Sequence, residues 1–430
     1  MRPVSESACV VLPWEHSGAT VALTYAAHGV TFTERLEFDV AFDLTPQRRT
    51  LLDMLALAAV VSYAKASAPI DIDASAYSLT GPQSEMFDAL YDQGMREFAV
   101  HNNLAQEPTF ILRASHLRPS ESPTLRAQQN RLLIPMGGGR DSSVVATALQ
   151  TLQPILLSIG QNDYVEDIAR RLSLSLHTVT RHIDTQLLDL NARGALNGHV
   201  PVTAINSLIS LLAADIYGCE CVVMANEKSS SEPTRIVDGY NINHQYSKSY
   251  EFEHLLRSAL AASNIDINYF SALRDRTDDE IARAFAQSCT PLHTAFMSCN
   301  KAMLRDPERR SARWCGNCPK CRSVFLTLAP YLSPSYLTEI FGADLLSDAV
   351  QLQGFSDLID VNAKPYECVG EIESARLALA VLRTSDEWRN HLVVTSLGET
   401  APVAHASSVK NPPHFIPQHI YEQVAKVFSS

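Results

Sequence analysis

The stretch Arg131-Leu-Leu-Ile-Pro-Met-Gly-Gly-Gly-Arg-Asp-Ser-Ser143 restricts what this 430-residue chain can fold into more than any other. A short apolar run, Leu132 to Ile134, reads as a buried strand, and Gly137, Gly138 and Gly139 turn it sharply. Val145, Ala148, Leu149 and Leu152 then fall at the spacing of one helix face. A strand turning through glycine into a helix gathers unpaired backbone N–H groups at the helix start. With the positive end of the helix dipole, those amides suit a phosphate. Asp141 and Ser142 also supply ordinary N-cap chemistry, so Asp141 has a structural explanation beside a ligand role.

The pattern repeats downstream. Pro154 to Ile159 reads as a second strand ending at Gly160, and Val165, Ile168, Ala169 and Leu172 mark the next helix. Leu176 to Thr180 is a third strand, Thr203 to Tyr217 a helix, and Cys221 to Ala225 a fourth strand ending at Asn226 and Glu227. Such alternation predicts an α/β fold with a parallel sheet covered on both faces. Ligands in these sheets bind beyond the carboxyl ends of the strands. Residues 136–143, 158–163 and 226–248 are therefore the segments to watch.

Upstream, Val21–Tyr25 and Val30–Phe38 predict a hairpin about His28-Gly29. Helices are expected from Thr45-Pro46, with Leu51, Leu55, Ala58 and Val61 packed inward, and from Gly81-Pro82. Residues 116–130 are polar, contain two prolines and read as a linker. The expected organisation is an N-terminal α+β domain (1–125), an α/β domain carrying the glycine loop (126–335) and a mainly helical C-terminal region (336–430).

Hydrophobic residues make up 46% and charged residues 19%, the balance of a soluble globular protein. A net charge of -12 provides no general basic field, so no nucleic-acid partner is expected. The apolar run Leu51 to Tyr63 is too short to span a bilayer and contains Asp53. The N-terminal Met-Arg-Pro-Val-Ser-Glu-Ser lacks the apolar core of a signal peptide, so a cytoplasmic location is expected.

Nine cysteines, unevenly placed, suggest a reducing compartment and a metal site more than disulfides. Cys299 is followed, after fifteen residues, by Cys315-Gly-Asn-Cys318-Pro-Lys-Cys321. Four thiols at this spacing match a closed tetrahedral zinc site, which supports the fold and leaves no coordination position for chemistry. Buried free cysteines are the alternative. Lys320, Arg313 and Arg322 nearby are anion contacts or compensation for thiolate charge.

The glycine loop lacks the Gly-Lys-Ser/Thr ending of the ordinary P-loop and the spacing of dinucleotide binders. It resembles the Ser-Gly-Gly-x-Asp-Ser loop of the PP-loop ATP pyrophosphatase superfamily, with Gly137 in place of the first serine. That resemblance implies cleavage of ATP between its α and β phosphates and adenylation of a substrate oxygen. It implies an ATP site formed by Gly137, Gly138, Gly139, Arg140, Asp141, Ser142 and Ser143, with Ser158, Ile159 and Gly160 lining the adenine. Asp141 would help position Mg²⁺. The cysteine arrangement is similar to one that holds structural zinc at the end of the PP-loop domain in 7-cyano-7-deazaguanine synthase.

Together with residues 226–248, read as a long polar loop after the fourth strand, and Phe32-Thr-Glu-Arg-Leu-Glu-Phe38, these segments resemble the MurL family, UDP-N-acetylmuramoyl-L-alanyl-L-glutamate epimerases, from about residue 20 to 335. The resemblance implies a nucleotide-sugar dipeptide substrate whose terminal L-glutamate is inverted through an acyl-adenylate. Adenylation removes the carboxylate charge and lets the carbonyl delocalise a carbanion, after which a base and an acid act on opposite faces. Lys248, His244, Tyr246 and Glu227 are the proton-handling candidates, and Asn226, Asn243, Gln245 and Ser247 the substrate-binding ones. Arg140, Arg235 and Lys228 are candidates for the UDP moiety. Two alternatives stand: another adenylating enzyme, acting on tRNA or a nucleobase, and a nucleotide sensor without turnover. The many ionisable groups in 226–248 count against the sensor.

Overall fold

The glycine turn does join a strand to a helix, at the middle of one long sheet. A computed structural model describes residues 8–27, 29–68, 70–104, 110–120, 131–304, 308, 310–311, 313–398 and 412–429. His28, residues 121–130 of the expected linker and the expected boundary at 125/126 lie outside the described residues.

The strands are β1 (Cys9–Val11), β2 (Glu15–Ser17), β3 (Thr20–Ala27), β4 (Val30–Phe38), β5 (Ile70–Ala74), β6 (Phe110–Ala114) and β7 (Leu132–Pro135). They continue as β8 (Ile155–Ile159), β9 (Leu176–His182), β10 (Cys221–Glu227), β11 (Arg235–Val237), β12 (Tyr240–Ile242) and β13 (Asn268–Leu273). All but β11 and β12 form an 11-stranded sheet in the order β13-β10-β7-β8-β9-β4-β3-β1-β5-β6, with β2 paired to β3. From β13 to β9 the pairing is parallel throughout. The chain runs outward from β7 through β8 to β9, then returns to place β10 on the other side of β7. The crevice above that reversal is where an open α/β sheet presents its ligand site.

β4 lies antiparallel against β9, so the N-terminal strands and the parallel block share one continuous sheet. A buried ion pair fastens the joint: Arg181 Nε stands 2.6 Å from Glu34 Oε1, and Tyr63 donates to Glu34 Oε2 at 3.1 Å.

Alternation along the strands explains the two cores. Leu133, Leu157, Val222 and Met224 face one hydrophobic cluster, with residues of the helices Pro46–Ala59 and Val202–Tyr217. Leu132, Ile134, Leu156 and Val223 face the other, under the helices Arg140–Ala148, Asp163–Leu172 and Asp278–Ser288. The expected helix starts are there: Thr45 caps one end with Pro46 behind it, and Thr80 with Gln83 forms a capping box.

Three expectations are corrected. β10 extends to Glu227, so Asn226 and Glu227 stand on a strand end and not in a loop. Residues beyond it form a β11–β12 hairpin and two short 3-10 turns, where a long loop was expected. The apolar helical run reaches 22 residues, Pro46–Ser67, long enough by length and composition to cross a membrane. Its most apolar window is 78% buried inside the fold, the pattern of a core helix.

Beyond the cysteines the described residues carry the helices Pro334–Phe341, Leu352–Ile359, Ile372–Thr384, Leu392–Leu397 and Gln418–Lys426. Trp314, just before the cysteines, packs on Phe341 with ring centroids 4.3 Å apart, and Phe325 meets Trp388 at 6.1 Å. Those aromatic contacts tie the cysteine cluster to the C-terminal helices.

Candidate active site at the ends of the central strands

A cavity of about 400 Å³ opens above the carboxyl ends of β7, β8 and β10. Its volume is in the usual range for small-molecule sites. Gly137, Gly139, Arg140, Asp141 and Ser142 line it from the glycine turn, and Ser158, Ile159 and Asn162 from β8 and its loop. Asn226 and Glu227 enter from β10, Lys248 from the turn before the next helix, and Lys320 and Cys368 from the C-terminal side.

The turn depends on Gly138, whose φ of +80° is one that L side chains rarely adopt. Its carbonyl accepts from the Met297 amide at 2.7 Å, which fixes the bend. The amides of Arg140, Asp141 and Ser142 belong to the first helical turn and have no carbonyl partner within the helix. Gly137 has open space where a Cβ would stand, so its departure from serine is not a steric demand.

Arg140 was a candidate for the UDP moiety, but its guanidinium is already engaged. It pairs with Asp141 at 2.8 Å and with Asp278, and donates to Thr327 Oγ1 at 3.0 Å. Burial works against ionisation of Asp141, yet Arg140, Lys320 and Lys248 together hold its carboxyl below the usual range. An ionised carboxylate on the cavity wall could hold Mg²⁺.

The 226–248 segment divides. Glu227 is buried and accepts from Ser229 Oγ at 3.1 Å, while Asn226 donates to Ser271 at 3.0 Å. Lys248 Nζ reaches the cavity, 3.1 Å from both Gln245 Oε1 and Cys368 Sγ. Burial opposes its charge, but Cys368, Glu227 and Asp141 outweigh that and push its pKa above the ordinary lysine range. Tyr246 points away: its ring is core and its hydroxyl meets Glu251 at 3.1 Å. Asn243 donates to Ser230 O at 2.9 Å, and Ser247 is buried. Gly138, Ser143, Gly160, Asn243, His244, Gln245, Tyr246 and Ser247 are not among the cavity-lining residues. Arg235 donates to Lys364 O and covers the Tyr366 ring, also outside the cavity lining.

Three residues not anticipated from the sequence hold the site together. Arg274 pairs with Glu253 at 2.7 Å, both fully buried, and donates to Lys248 O, Ser230 Oγ and Glu227 O. One guanidinium thus fixes the segment that presents Lys248. Arg274→Met should cost about 3–5 kcal/mol, because it leaves the Glu253 carboxylate buried without its partner. Urea unfolding of the variant measures this, and a loss under about 1 kcal/mol would count against the role. Cys368 and Glu97 are the others. Burial disfavours ionising the Cys368 thiol, but Lys248, His244 and Lys320 bring its pKa down to about 6. Burial likewise disfavours the His244 imidazolium, yet Cys368 and Glu97 raise its pKa to about 9.

The four expected cysteines converge. All are free thiols whose sulfurs lie within 4.8 Å of one another, with Cys315–Cys321 at 3.8 Å and Cys318–Cys321 at 3.4 Å. Zinc–sulfur bonds of about 2.3 Å require tetrahedral edges near 3.8 Å, so the donor set fits. Backbone amides of Cys315, Asn317 and Cys321 point at the sulfurs of Cys299, Cys315 and Cys318, each at 3.4 Å, as they would toward thiolates.

The MurL N-terminal domain family matches residues 11–272, and the MurL C-terminal domain family matches residues 295–411. The chain belongs to the MurL family. It is 40% identical over 382 residues to the UDP-N-acetyl-alpha-D-muramoyl-L-alanyl-L-glutamate epimerase of a Micromonospora species, covering 85% of this chain and 84% of the relative. The enzyme of the same name from Salinispora tropica is 40% identical over 384 residues, covering 85% and 82%. That from Xanthomonas oryzae pv. oryzae is 35% identical over 394 residues, covering 88% and 86%. These MurL relatives are named as epimerases, that is, isomerases. No solved structure matches the chain at a comparable level. The second MurL domain match takes in both the cysteine cluster and Cys368.

Proposed function

We propose that this chain is an ATP- and Mg²⁺-dependent epimerase of peptidoglycan precursor synthesis in the cytoplasm. Its substrate is UDP-N-acetylmuramoyl-L-alanyl-L-glutamate, whose terminal glutamate it inverts. One observation carries the reading: a glycine turn suited to phosphate and the ionisable side chains Glu227, Lys248 and Cys368 line the same cavity. The family membership supports it, and the resemblance of the turn to a PP-loop is the ground for the chemistry.

ATP is the co-substrate, cleaved to AMP and pyrophosphate as the glutamyl carboxylate becomes an acyl-adenylate. First-turn amides of Arg140, Asp141 and Ser142 face the phosphates, with Ser158 and Ile159 toward the adenine. Asp141 would hold Mg²⁺, which neutralises phosphate charge. Cys299, Cys315, Cys318 and Cys321 would hold zinc, which braces the C-terminal helices. Asn226 and Glu227, at the end of β10, contact the substrate. Lys248, held as an ammonium, stabilises negative charge that develops on the substrate carbonyl as the Cα proton leaves.

The test incubates the protein with ATP, Mg²⁺ and the nucleotide dipeptide in D₂O. D-glutamate carrying Cα deuterium, with AMP and pyrophosphate, is the expected product; AMP without inversion, or no AMP, overturns the reading. Lys248→Ala should still form AMP while its Cα exchange falls about 10²–10³-fold. Exchange at the wild-type rate would remove Lys248 from the reaction.

A further inference from the structure

Three side chains from distant parts of the chain gather at and behind the cavity wall. Glu97, on the helix Arg96–His101, accepts from His244 Nδ1 at 2.5 Å. The His244 imidazolium and the Cys368 thiolate favour each other's charge, and Cys368 alone of the three lines the cavity. A carboxylate that holds an imidazolium near a thiol favours the thiolate, the nucleophilic and basic form of sulfur. Lys248 Nζ, 3.1 Å from the sulfur, supports the same ionisation, and the Lys320 ammonium donates to the Cys368 carbonyl.

We propose that Cys368 is a catalytic residue that exchanges the Cα proton on one face of the terminal glutamyl residue, with His244 and Glu97 as positioning residues. This rests on the epimerase reading above. The sulfur lone pair forms an S–H bond to the Cα proton as the C–H electron pair moves into the adjacent carbonyl. The opposite face takes a proton from a separate donor, the thiol then returns its proton to solvent, and solvent reprotonates the donor. The chain loses and gains nothing overall.

Geometry separates Cys368 from Lys248 in this step. Groups acting on opposite faces flank the carbon, each about 3–3.5 Å from it, and so stand about 6–7 Å apart. Lys248 and Cys368 are in contact and therefore approach from one side. Of the two, Lys248 is held as an ammonium, whereas Cys368 is held as a thiolate, which leaves the sulfur as the base. The charged groups facing the sulfur are Lys248, His244 and Lys320, with Glu97, Glu227 and Asp141 behind them.

The test measures AMP formation and Cα deuterium in D₂O for the wild type, C368S, C368A and E97Q. The cysteine variants should form AMP within tenfold of the wild type while deuterium incorporation drops about 10²–10⁴-fold. The acid limb of the wild-type exchange profile should rise through about 6, as the thiol ionises, and move upward in E97Q. A merely structural Glu97 would not move that limb. C368A exchanging within tenfold of an active wild type overturns the assignment alone. A wild type that makes AMP but never exchanges Cα overturns the epimerase reading and this role with it. Iodoacetamide alkylation of native wild-type protein, followed on the Cys368 peptide, needs no variant to fold. A midpoint near 6 supports the proposal, and one at the ordinary thiol value of about 8.5 overturns it.

Discussion

Asp141→Asn should reduce AMP and pyrophosphate formation by about 10²–10³-fold, with the protein still folded. The carboxylate stands at the first turn of the helix after the glycine bend, where Arg140, Lys320 and Lys248 hold it ionised on the cavity wall. Asparagine keeps its shape and its hydrogen bond to Arg140 but has no charge to offer Mg²⁺. Arg140 retains Asp278 and Thr327, so its buried guanidinium is not orphaned. Chromatography of the nucleotides reads the loss, and the thermal midpoint checks the fold. Turnover within tenfold of the wild type, in a folded variant, would remove Asp141 from the reaction.

The second large effect belongs to the cysteine cluster. Cys321→Ser should drop bound zinc from about one per chain to far less, and it should melt the C-terminal helices. Structural zinc contributes roughly 10–16 kcal/mol in small sites at neutral pH, comparable with the whole stability of a domain. Cys321 is fully buried at the start of the helix Pro319–Leu328, whose Phe325 packs on Phe341 and Trp388. Losing the metal therefore reaches the aromatic cluster directly. Metal analysis with a thermal melt, with and without chelator, measures both effects. An unchanged midpoint in a zinc-free variant would show that the thiols pack as ordinary core cysteines.

What the sequence disclosed, and what it concealed, follows the range of the forces involved. The strand–glycine–helix unit at 132–148 and the strands at 155, 176 and 221 were legible because each carries its own periodicity and breaker residues. The joint between β4 and β9 was not, since it pairs segments more than a hundred residues apart with no local mark. Lys248 could be singled out by its neighbours, but Tyr246 travelled with it. A 3-10 turn at 246–248 sends the tyrosine into the core and the lysine into the cavity, a divergence that composition does not encode. Cys368 had no signal beyond being an unassigned ninth cysteine. Ser323 donates to Val369 O and Lys320 to Cys368 O, which holds its segment against the helix Pro319–Leu328 at the cavity wall.

Asp278 connects these parts. One of its oxygens takes the Arg140 guanidinium behind the glycine turn, and its carboxyl abuts Gly370, where a Cβ would stand 2.8 Å from Asp278 Cγ at a φ of +76°. A single carboxylate is thus the common abutment for the glycine turn and for the segment bearing Cys368, two residues away. The glycine turn and the cysteine-bearing segment share one support, so a substitution at Asp278 should disturb both ends of the cavity together.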